Sequence, residues 1–343
     1  MIRVFKTGRH ARRTPLSYTA LAPLFADHIT LVDSPDQADL YVFAHVLDLE
    51  DIPLEVIEDW RRRRRPVVLL SEEPFWDTIW CRHPLKRHHI VKTRYGALPV
   101  IQLNHQTSAI FRFERIPYYL LTNHRFATTY AHRFTRNARL SPRDWKTAFE
   151  TRAKRLVFMF ERRPESYHDL RWPEGGVIGL CAWRTNLALA FTPDEAKRIG
   201  QSWHGGQTRF ELPDWHLAKM VALDGRTRIL AAVENTHSPH YLTEKLFDAF
   251  ACGALPLYYA SPNHRIHGLG LPENAWLNLY GLSPKEAADR VREFAFDDAF
   301  FEAYRAAQQK LEALFTDPVL IVAERTRLQQ SVIRELSRIL ENR

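Results

Sequence analysis

Residues 233–259 (VENTHSPHYLTEKLFDAFACGALPLYY) constrain the fold most, because their pattern is typical of a strand, a helix and a second strand. The apolar run 228–233 predicts a buried strand that leads into this segment, and residues 255–259 predict the second strand. Thr243 stands where a helix N-cap is expected, and Gly253 stands where the helix should end. The segment therefore predicts a βαβ unit of a parallel α/β sheet.

Polar side chains follow the first of these strands and open the helix. Glu234 and Asn235 come directly after the strand, and open α/β sheets bind ligands beyond such strand ends. Glu244 and Lys245 fall in the first helical turn, where unpaired backbone N–H groups and the helix dipole favour an anion. An ammonium there adds a point charge for a phosphate. The segment thus predicts a phosphate site, and an amphipathic helix with surface charges in its first turn is the alternative.

The same residues resemble a known family. Glu-Asn-Thr at 234–236, Tyr-Leu-Thr-Glu-Lys-Leu at 241–246 and Pro-Leu-Tyr at 256–258 are similar to the donor-binding signature of the α-1,3/4-fucosyltransferases, glycosyltransferase family ten. The resemblance is ungapped through Pro256 and continues into Ser261 and Pro262. It implies an inverting GT-B glycosyltransferase with two Rossmann-like, doubly wound domains that face each other across a cleft. The donor implied is a nucleotide sugar, with GDP-fucose favoured.

The resemblance also implies which side chains bind this donor. Lys245 would pair with the pyrophosphate, and Glu244 would accept hydrogen bonds from ribose or sugar hydroxyls. Tyr241 would pack near the nucleotide, and Asn235 would orient the donor or its loop.

A second cation for the pyrophosphate is expected upstream. In the family, an arginine that opens a helix contacts the phosphates, and Arg184 is its best counterpart here. A guanidinium suits bidentate phosphate recognition better than an ammonium does. Arg162 and Arg163, which follow the apolar run 156–160, are the alternatives. No metal and no cofactor beyond the nucleotide sugar is expected, because no Asp-x-Asp triplet stands out and four histidines around the signature lack ligand spacing (His237, His240, His264 and His267).

A pair of carboxylates marks the first half of the chain. Residues 67–70 predict a buried strand that delivers Ser71, Glu72 and Glu73 at its C-terminal end. In the family, a strand that ends in Gly-Glu-Asn carries the general base, and the alignment puts that base on Glu72. The departures at Ser71 and Glu73 leave Glu73 as an alternative base. A carboxylate within hydrogen-bond reach can take the proton of an acceptor hydroxyl. The alternative interpretation is that these residues form an ordinary polar loop after a strand, with no catalytic role.

Alternating strands and helices predict a doubly wound sheet in the first half as well. A helix is predicted over residues 53–64, opened by Pro53 and stopped by Pro66. The arginine run 61–65 fits a solvated helix end, since cations complement the helix dipole there. The strand candidates are residues 2–5, 29–32, 40–43, 67–70, 89–92 and 100–103.

Three segments follow from these patterns. Residues 1–140 are predicted to form an acceptor-binding domain, residues 141–320 the donor-binding domain, and residues 321–343 a helix that crosses back to the first domain. Residues 121–141 lack periodicity and are the linker candidate. Residues 115–119 (RIPYY) match an Arg-x-Pro-x-Tyr-like segment of the family that is expected to be structural.

Composition agrees with two ordered domains. A hydrophobic fraction of 45% with 12% aromatic residues argues against disorder. The net charge of +8 suits an anionic ligand or a membrane face, and the scattered basic residues form no nucleic-acid recognition module. The three cysteines (Cys81, Cys181 and Cys252) have no paired spacing, which favours a reducing cytoplasm over a disulfide framework. No apolar run approaches about 18 residues, so neither a signal peptide nor a membrane span is expected, and peripheral binding at the inner membrane is the minority alternative.

With this composition, the resemblance implies a cytoplasmic, bacterial-type fucosyltransferase that uses GDP-fucose and a hydroxyl of lipopolysaccharide or another surface glycan. The departures at Ser71 and Glu73 motivate one alternative, a GT-B enzyme of lipopolysaccharide assembly with another GDP-hexose or a CMP-linked sugar acid as donor. A non-catalytic protein that binds nucleotides or carbohydrates is the second alternative.

Overall fold

The computed structural model describes residues 1–205 and 211–342. The chain forms two compact units, one of Met1–His124 with Val319–Arg343 and one of Arg125–Pro318. Each unit is built on a mainly parallel sheet with helices, so the predicted α/β class is confirmed.

The first unit has a six-stranded sheet with the order β2-β1-β3-β4-β6-β5. All neighbours are parallel except β5, which pairs antiparallel with β6. The central strands β3 and β4 are buried along their whole length, as parallel strands covered on both faces should be. The strands are β1 (Ile2–Lys6), β2 (Ile29–Leu31), β3 (Leu40–Phe43), β4 (Val67–Leu70), β5 (His88–Thr93) and β6 (Gly96–Leu103).

All six strands predicted in this half are present. The largest difference is in β6, which starts at Gly96 instead of residue 100 because it forms a hairpin with β5. The helix predicted over residues 53–64 is also present, with Pro53 as its N-cap. The helices of the first unit are α1 (Val46–Glu50), α2 (Leu54–Arg63), α3 (Pro74–Trp80), α4 (Tyr118–Leu121) and α13 (Pro318–Glu341).

The terminal helix α13 packs within the first unit. The buried Glu324 carboxylate accepts hydrogen bonds from the backbone amides of Glu114 at 2.7 Å and Ile116 at 3.2 Å. Further along the same helix, Glu335 accepts a hydrogen bond from the guanidinium of Arg87 at 2.7 Å. The acidic side chains of α13, as well as its apolar face, therefore hold this helix against the rest of the first unit. None of the described helices is long and apolar enough to cross a membrane.

The second unit has a five-stranded parallel sheet with the order β10-β7-β11-β13-β14, and a small antiparallel sheet with the order β12-β9-β8. The strands are β7 (Lys154–Met159), β8 (Arg171–Trp172), β9 (Val177–Gly179), β10 (Lys197–Ile199), β11 (Thr227–Ala231), β12 (Thr236–His237), β13 (Leu255–Tyr258) and β14 (Leu277–Asn278). The helices are α5 (His124–Ala138), α6 (Pro142–Glu150), α7 (Cys181–Leu189), α8 (Gln201–His204), α9 (Trp215–Leu223), α10 (Glu244–Ala251), α11 (Pro284–Arg292) and α12 (Asp298–Thr316).

The linker predicted over residues 121–141 is wrong. Helix α5 occupies most of it, because aromatic residues at four-residue spacing (Phe126, Tyr130 and Phe134) give it a buried face. Tyr130 donates its hydroxyl to Asp248 at 2.7 Å, and the Asn137 amide donates to the carbonyl of Phe250 at 3.1 Å. These contacts place α5 in the second unit, so the first unit ends near residue 124 and not at residue 140.

The βαβ unit that the sequence predicts is present. Strands β11 and β13 are parallel neighbours, and α10 runs between them along the chain. Thr243 is the N-cap of α10, and Gly253 turns the chain after the helix with φ of +73°. A side chain is disfavoured in that left-handed conformation, and a Cβ there would also lie 2.8 Å from the guanidinium of Arg152.

Candidate active site

Glu234 ties the end of β11 to the start of α10. One of its carboxylate oxygens accepts hydrogen bonds from the Thr243 amide at 2.9 Å and from the Thr243 hydroxyl at 2.7 Å. The side chain is buried, and Thr243 also caps the amide of Lys245. A strand end and a helix N-terminus are therefore joined by one carboxylate.

Lys245 lies against the other oxygen of the same carboxylate. Its ammonium is 2.8 Å from Glu234 Oε2, 3.0 Å from the Thr243 hydroxyl and 3.7 Å from Glu244 Oε1. Burial and the nearby charge of Arg184 lower the pKa of Lys245, but the two carboxylates outweigh them and the net shift is upward. Burial raises the pKa of Glu234, partly offset by Lys245. The ammonium is thus held charged, and 24% of the Lys245 side chain remains exposed.

Arg184 reaches the same region from α7. The sequence predicts that this arginine opens the helix, and it lies in the first turn after Leu180, the N-cap. Its guanidinium carbon is 4.6 Å from the centre of the Phe160 ring, and Nη1 donates to the carbonyl of Val233 at 3.2 Å. Phe160 follows β7, and Val233 follows β11. Arg184 therefore contacts the carbonyl of Val233 and Lys245 contacts the carboxylate of the next residue, Glu234, so both predicted cations lie just beyond the carboxyl end of β11.

The alternative arginines lie in the loop after β7. The backbone amide of Arg162 donates to the Ser202 hydroxyl at 2.6 Å, and that of Arg163 donates to the Thr185 hydroxyl at 2.9 Å. Both contacts fix the loop by its backbone. The Arg162 side chain is exposed and that of Arg163 is half-buried.

Tyr241 and Asn235 frame this region through their backbone carbonyls. The buried Tyr241 accepts from the imidazole of His264 at 3.1 Å, and Asn235 accepts from the amide of Leu180 at 2.9 Å. The latter bond anchors the start of α7, the helix that carries Arg184. Burial holds the pKa of His264 at about 3, so this ring is a neutral structural group.

His237 is structural as well. It hydrogen-bonds the carbonyl of Gly176 at 2.9 Å with one ring nitrogen and accepts from the Ser261 amide at 3.1 Å with the other. Both nitrogens are therefore occupied. In residues 1–205 and 211–342, no group of three or more His, Cys, Asp or Glu side chains is arranged to hold a metal ion.

In the first unit, Glu72 is enclosed by donors. Its carboxylate accepts from the hydroxyls of Tyr18 and Tyr118, each at 2.6 Å, and from the guanidinium of Arg13. His105 also hydrogen-bonds the Glu72 carbonyl at 3.0 Å. Only 1% of the Glu72 side chain is exposed. Tyr118, which the sequence assigned to a structural segment, is thus a direct partner of the predicted base.

Glu73 is the more accessible carboxylate of the pair. Its side chain is 14% exposed and lies 3.6 Å from the guanidinium of Arg13. Glu73 is the N-cap residue of α3, although its side chain forms no capping bond. Arg13 therefore lies between the two candidate bases and contacts both.

An imidazole and indole cluster adjoins Arg13. The His10 and His45 rings stack with centroids 4.4 Å apart, and Trp76 contacts both rings while the Arg13 guanidinium lies 4.9 Å above it. Asp48 orients His10 by accepting from its ring nitrogen at 2.9 Å. Burial and the neighbouring His10 lower the pKa of His45 to about 4. These groups follow β1, β3 and β4, three adjacent strands, at their carboxyl ends.

Sequence reasoning missed three contributors to these sites. Arg13 and Tyr18 lie in a loop without a motif, and nothing in their spacing signals that they converge on Glu72. Glu234 was named as a polar residue after a strand and as part of the signature, but no role was assigned to it. Its burial and its ion pair with Lys245 are visible only in the folded structure.

Comparisons with known proteins give a partial sequence match and a distant structural one. No family profile matches the chain. GDP-fucose protein O-fucosyltransferase 3 from dog and from human is 33% identical over 112 residues, which is 30% of this chain. The chain covers 22% of the length of these relatives.

Two solved structures of an α1,3-fucosyltransferase, one with GDP-fucose and one with GDP, are among the structural neighbours. The first has a TM-score of 0.45 at 13% identity and covers 93% of this chain and 90% of its own. The second has a TM-score of 0.44 at 12% identity, covering 96% and 90%. At that level the likeness by itself says nothing about activity.

Proposed function

We propose that this protein is a glycosyltransferase whose second unit binds the diphosphate of a nucleotide sugar. The observation that carries the proposal is that Arg184 and Lys245 contact the consecutive residues Val233 and Glu234 beyond the carboxyl end of β11, beside the N-terminus of α10. A guanidinium fork, an ammonium and a helix N-terminus are three different anion-binding groups. Their convergence suits a diphosphate better than a single phosphate.

The same cations would serve catalysis. When the anomeric bond breaks, negative charge builds on the departing diphosphate, and fixed cations stabilise that charge. Arg184 would contact the phosphates in a fork, and Lys245 would add a point charge. Glu244 would accept hydrogen bonds from ribose or sugar hydroxyls, and Tyr241 and Asn235 would shape the nucleotide pocket.

The acceptor base would come from the first unit. Of the two candidates, Glu73 is the carboxylate that an acceptor hydroxyl can reach, whereas Glu72 is enclosed by Arg13, Tyr18 and Tyr118. We therefore propose that Glu73 removes the proton and that Glu72 holds Arg13 in position. Attack by the deprotonated hydroxyl opposite the diphosphate would invert the anomeric carbon.

GDP-fucose is the donor that we favour. The support is the signature at 234–258 together with the partial match to GDP-fucose protein O-fucosyltransferase 3. For the acceptor, a hydroxyl of lipopolysaccharide or another surface glycan in a bacterial cytoplasm is the sequence-based proposal. The name of the partial relative adds a protein hydroxyl as the second class of acceptor to test.

The test is donor binding and turnover by the whole chain. Calorimetry with GDP, UDP and CMP measures which nucleotide the protein prefers. Release of GDP from GDP-fucose or from GDP-mannose measures turnover, with glycan acceptors and with peptide acceptors. We expect GDP to bind best and GDP-fucose to turn over. Preference for CMP or UDP would overturn the donor assignment. GDP binding without turnover on any acceptor would indicate a non-catalytic binding protein.

A further inference from the structure

A cavity of about 510 Å³ lies at the opposite end of the first unit's sheet from Glu72. Val67, the first residue of β4, lines it, whereas Glu72 and Glu73 follow the last residue of that strand. Its walls also include Trp60 of α2 and His88 of β5. The volume is in the range of small-molecule pockets, roughly 300–1,000 Å³. The cavity is therefore separate from the candidate active site.

The arginine run at the end of α2 is divided between two uses. Arg62 and Arg63 bind the Asp59 carboxylate at 2.6 Å and 2.5 Å, and Arg61 donates to the carbonyl of Tyr95 at 3.0 Å. These three arginines serve the helix and its neighbours. The remaining two, Arg64 and Arg65, line the cavity.

The cavity lining is cationic. Its positive charge comes from Arg64 and Arg65, since burial lowers the pKa of His89 in the same wall, and none of the described lining residues is acidic. Arg65 does help to lower the pKa of Asp39, after the larger effect of Arg3, but Asp39 is paired with Arg3 at 2.8 Å and is not a lining residue. An anion in the cavity would thus meet positive charge without a competing carboxylate side chain among the described residues of the wall.

Arg64 occupies a position where glycine is the usual residue. It ends α2 with φ of 54° and ψ of 34°, and it is the one described non-glycine residue with positive φ. Glycine would take this left-handed conformation without the steric cost. The arginine instead places its guanidinium 4.5 Å from the centre of the Trp60 ring. Strain of this kind is more common where the side chain has a function.

We propose that this cavity binds a phosphate group carried on an apolar or ring-bearing molecule. The guanidinium groups would bind the phosphate as forks, and the Trp60 ring with the exposed Ile90 would cover the apolar part. A soluble phosphomonoester and the headgroup of an anionic lipid share this chemistry. Binding would weaken as salt screens the charges.

The experiment compares two double variants of the full chain. In R64G/R65Q the cavity loses both guanidinium groups, while glycine keeps the left-handed end of α2. In R61Q/R62Q the same two charges are removed from the same helix outside the cavity. The probes are hexyl phosphate, measured by calorimetry, and vesicles of equal parts phosphatidylcholine and phosphatidylglycerol, measured by flotation. Circular dichroism checks that both variants fold.

We expect R64G/R65Q to lose about tenfold or more in affinity relative to R61Q/R62Q, as the loss of charge-assisted hydrogen bonds predicts. The candidate donor site would also bind phosphate, and it is unchanged in both variants. The difference in affinity between the two variants therefore reports on the cavity alone. A loss with hexyl phosphate identifies a soluble ligand, and a loss with vesicles alone identifies a lipid headgroup. Equal binding by the two variants to both probes would overturn the proposal.

Discussion

The ammonium of Lys245 lies 2.8 Å from the buried carboxylate of Glu234, where β11 leads into α10. Glu234 fastens the strand end to the helix cap, and Lys245 supplies the charge that the proposed diphosphate would meet. One ion pair therefore belongs both to the fold and to the proposed donor site. A single substitution at Lys245 would change both the stability of the fold and the binding of the nucleotide. A double variant is needed to separate these two effects.

Lys245→Met should destabilise the protein by about 3–5 kcal/mol, because it leaves Glu234 buried without its cation. Adding Glu234→Gln should recover most of that stability while GDP affinity stays at least about tenfold below wild type. Urea unfolding and calorimetry measure the two quantities on the same samples. If the double variant regains GDP affinity, Lys245 acts only on the fold.

Glu73→Gln should lower the turnover number by about 10²–10⁴-fold, the usual contribution of a general base. GDP affinity should not change, since the acceptor side is not part of the donor site. Glu72→Gln should lower turnover less, through a displaced Arg13, and should reduce thermal stability because a buried charge network is broken.

The pH profile separates a base from a positioning residue. In Glu72→Gln the acidic limb of turnover against pH should remain, whereas in Glu73→Gln it should disappear. Near-normal turnover in Glu73→Gln, with loss of the acidic limb in Glu72→Gln, would return the base to Glu72.

Arg184→Lys should weaken GDP binding by about 10–100-fold, because an ammonium cannot reproduce the fork and lacks the planar face that lies over Phe160. Arg162→Lys and Arg163→Lys are the matched controls, and each should stay within about twofold of wild type. A larger loss in either control than in Arg184→Lys would transfer the phosphate contact to the loop after β7.

Asp248 should make stability depend on pH in the acid range. Burial by itself would raise its pKa, but Lys219 at 2.7 Å and His216 at 2.8 Å hold the pKa at about 2. Because the folded-state pKa is depressed, the stabilisation is present above about pH 4 and is lost as pH falls towards about 2. The shift corresponds to about 2 kcal/mol.

Asp248→Asn tests this directly. Wild type should lose about 2 kcal/mol more than the variant between about pH 4 and pH 2 in urea unfolding followed by circular dichroism. The variant should also start lower at neutral pH, because Lys219 loses its buried partner. Parallel pH curves for the two proteins would contradict the role of Asp248.

Sequence patterns predicted local structure well where side chains are periodic or where a residue has a special backbone role. The buried runs at 40–43 and 67–70 became β3 and β4, and Thr243 became the cap of α10. Helix α5 was missed because its buried face consists of aromatic residues interleaved with arginine, threonine and histidine. The four-residue aromatic spacing is present in the sequence, but the partners that this face packs against, such as Asp248, are set only by the fold.

The sequence by itself determined the α/β class, the βαβ unit and the residue types offered to a diphosphate, because these depend on periodicity, caps and strand ends along the chain. Tertiary structure decided which of these residues meet. It placed Arg184 against Val233 and Lys245 against Glu234, and it enclosed Glu72 while leaving Glu73 more accessible. The physical reason is that burial, charge pairing and access are properties of side chains far apart in sequence, and only packing of the strands and helices sets them.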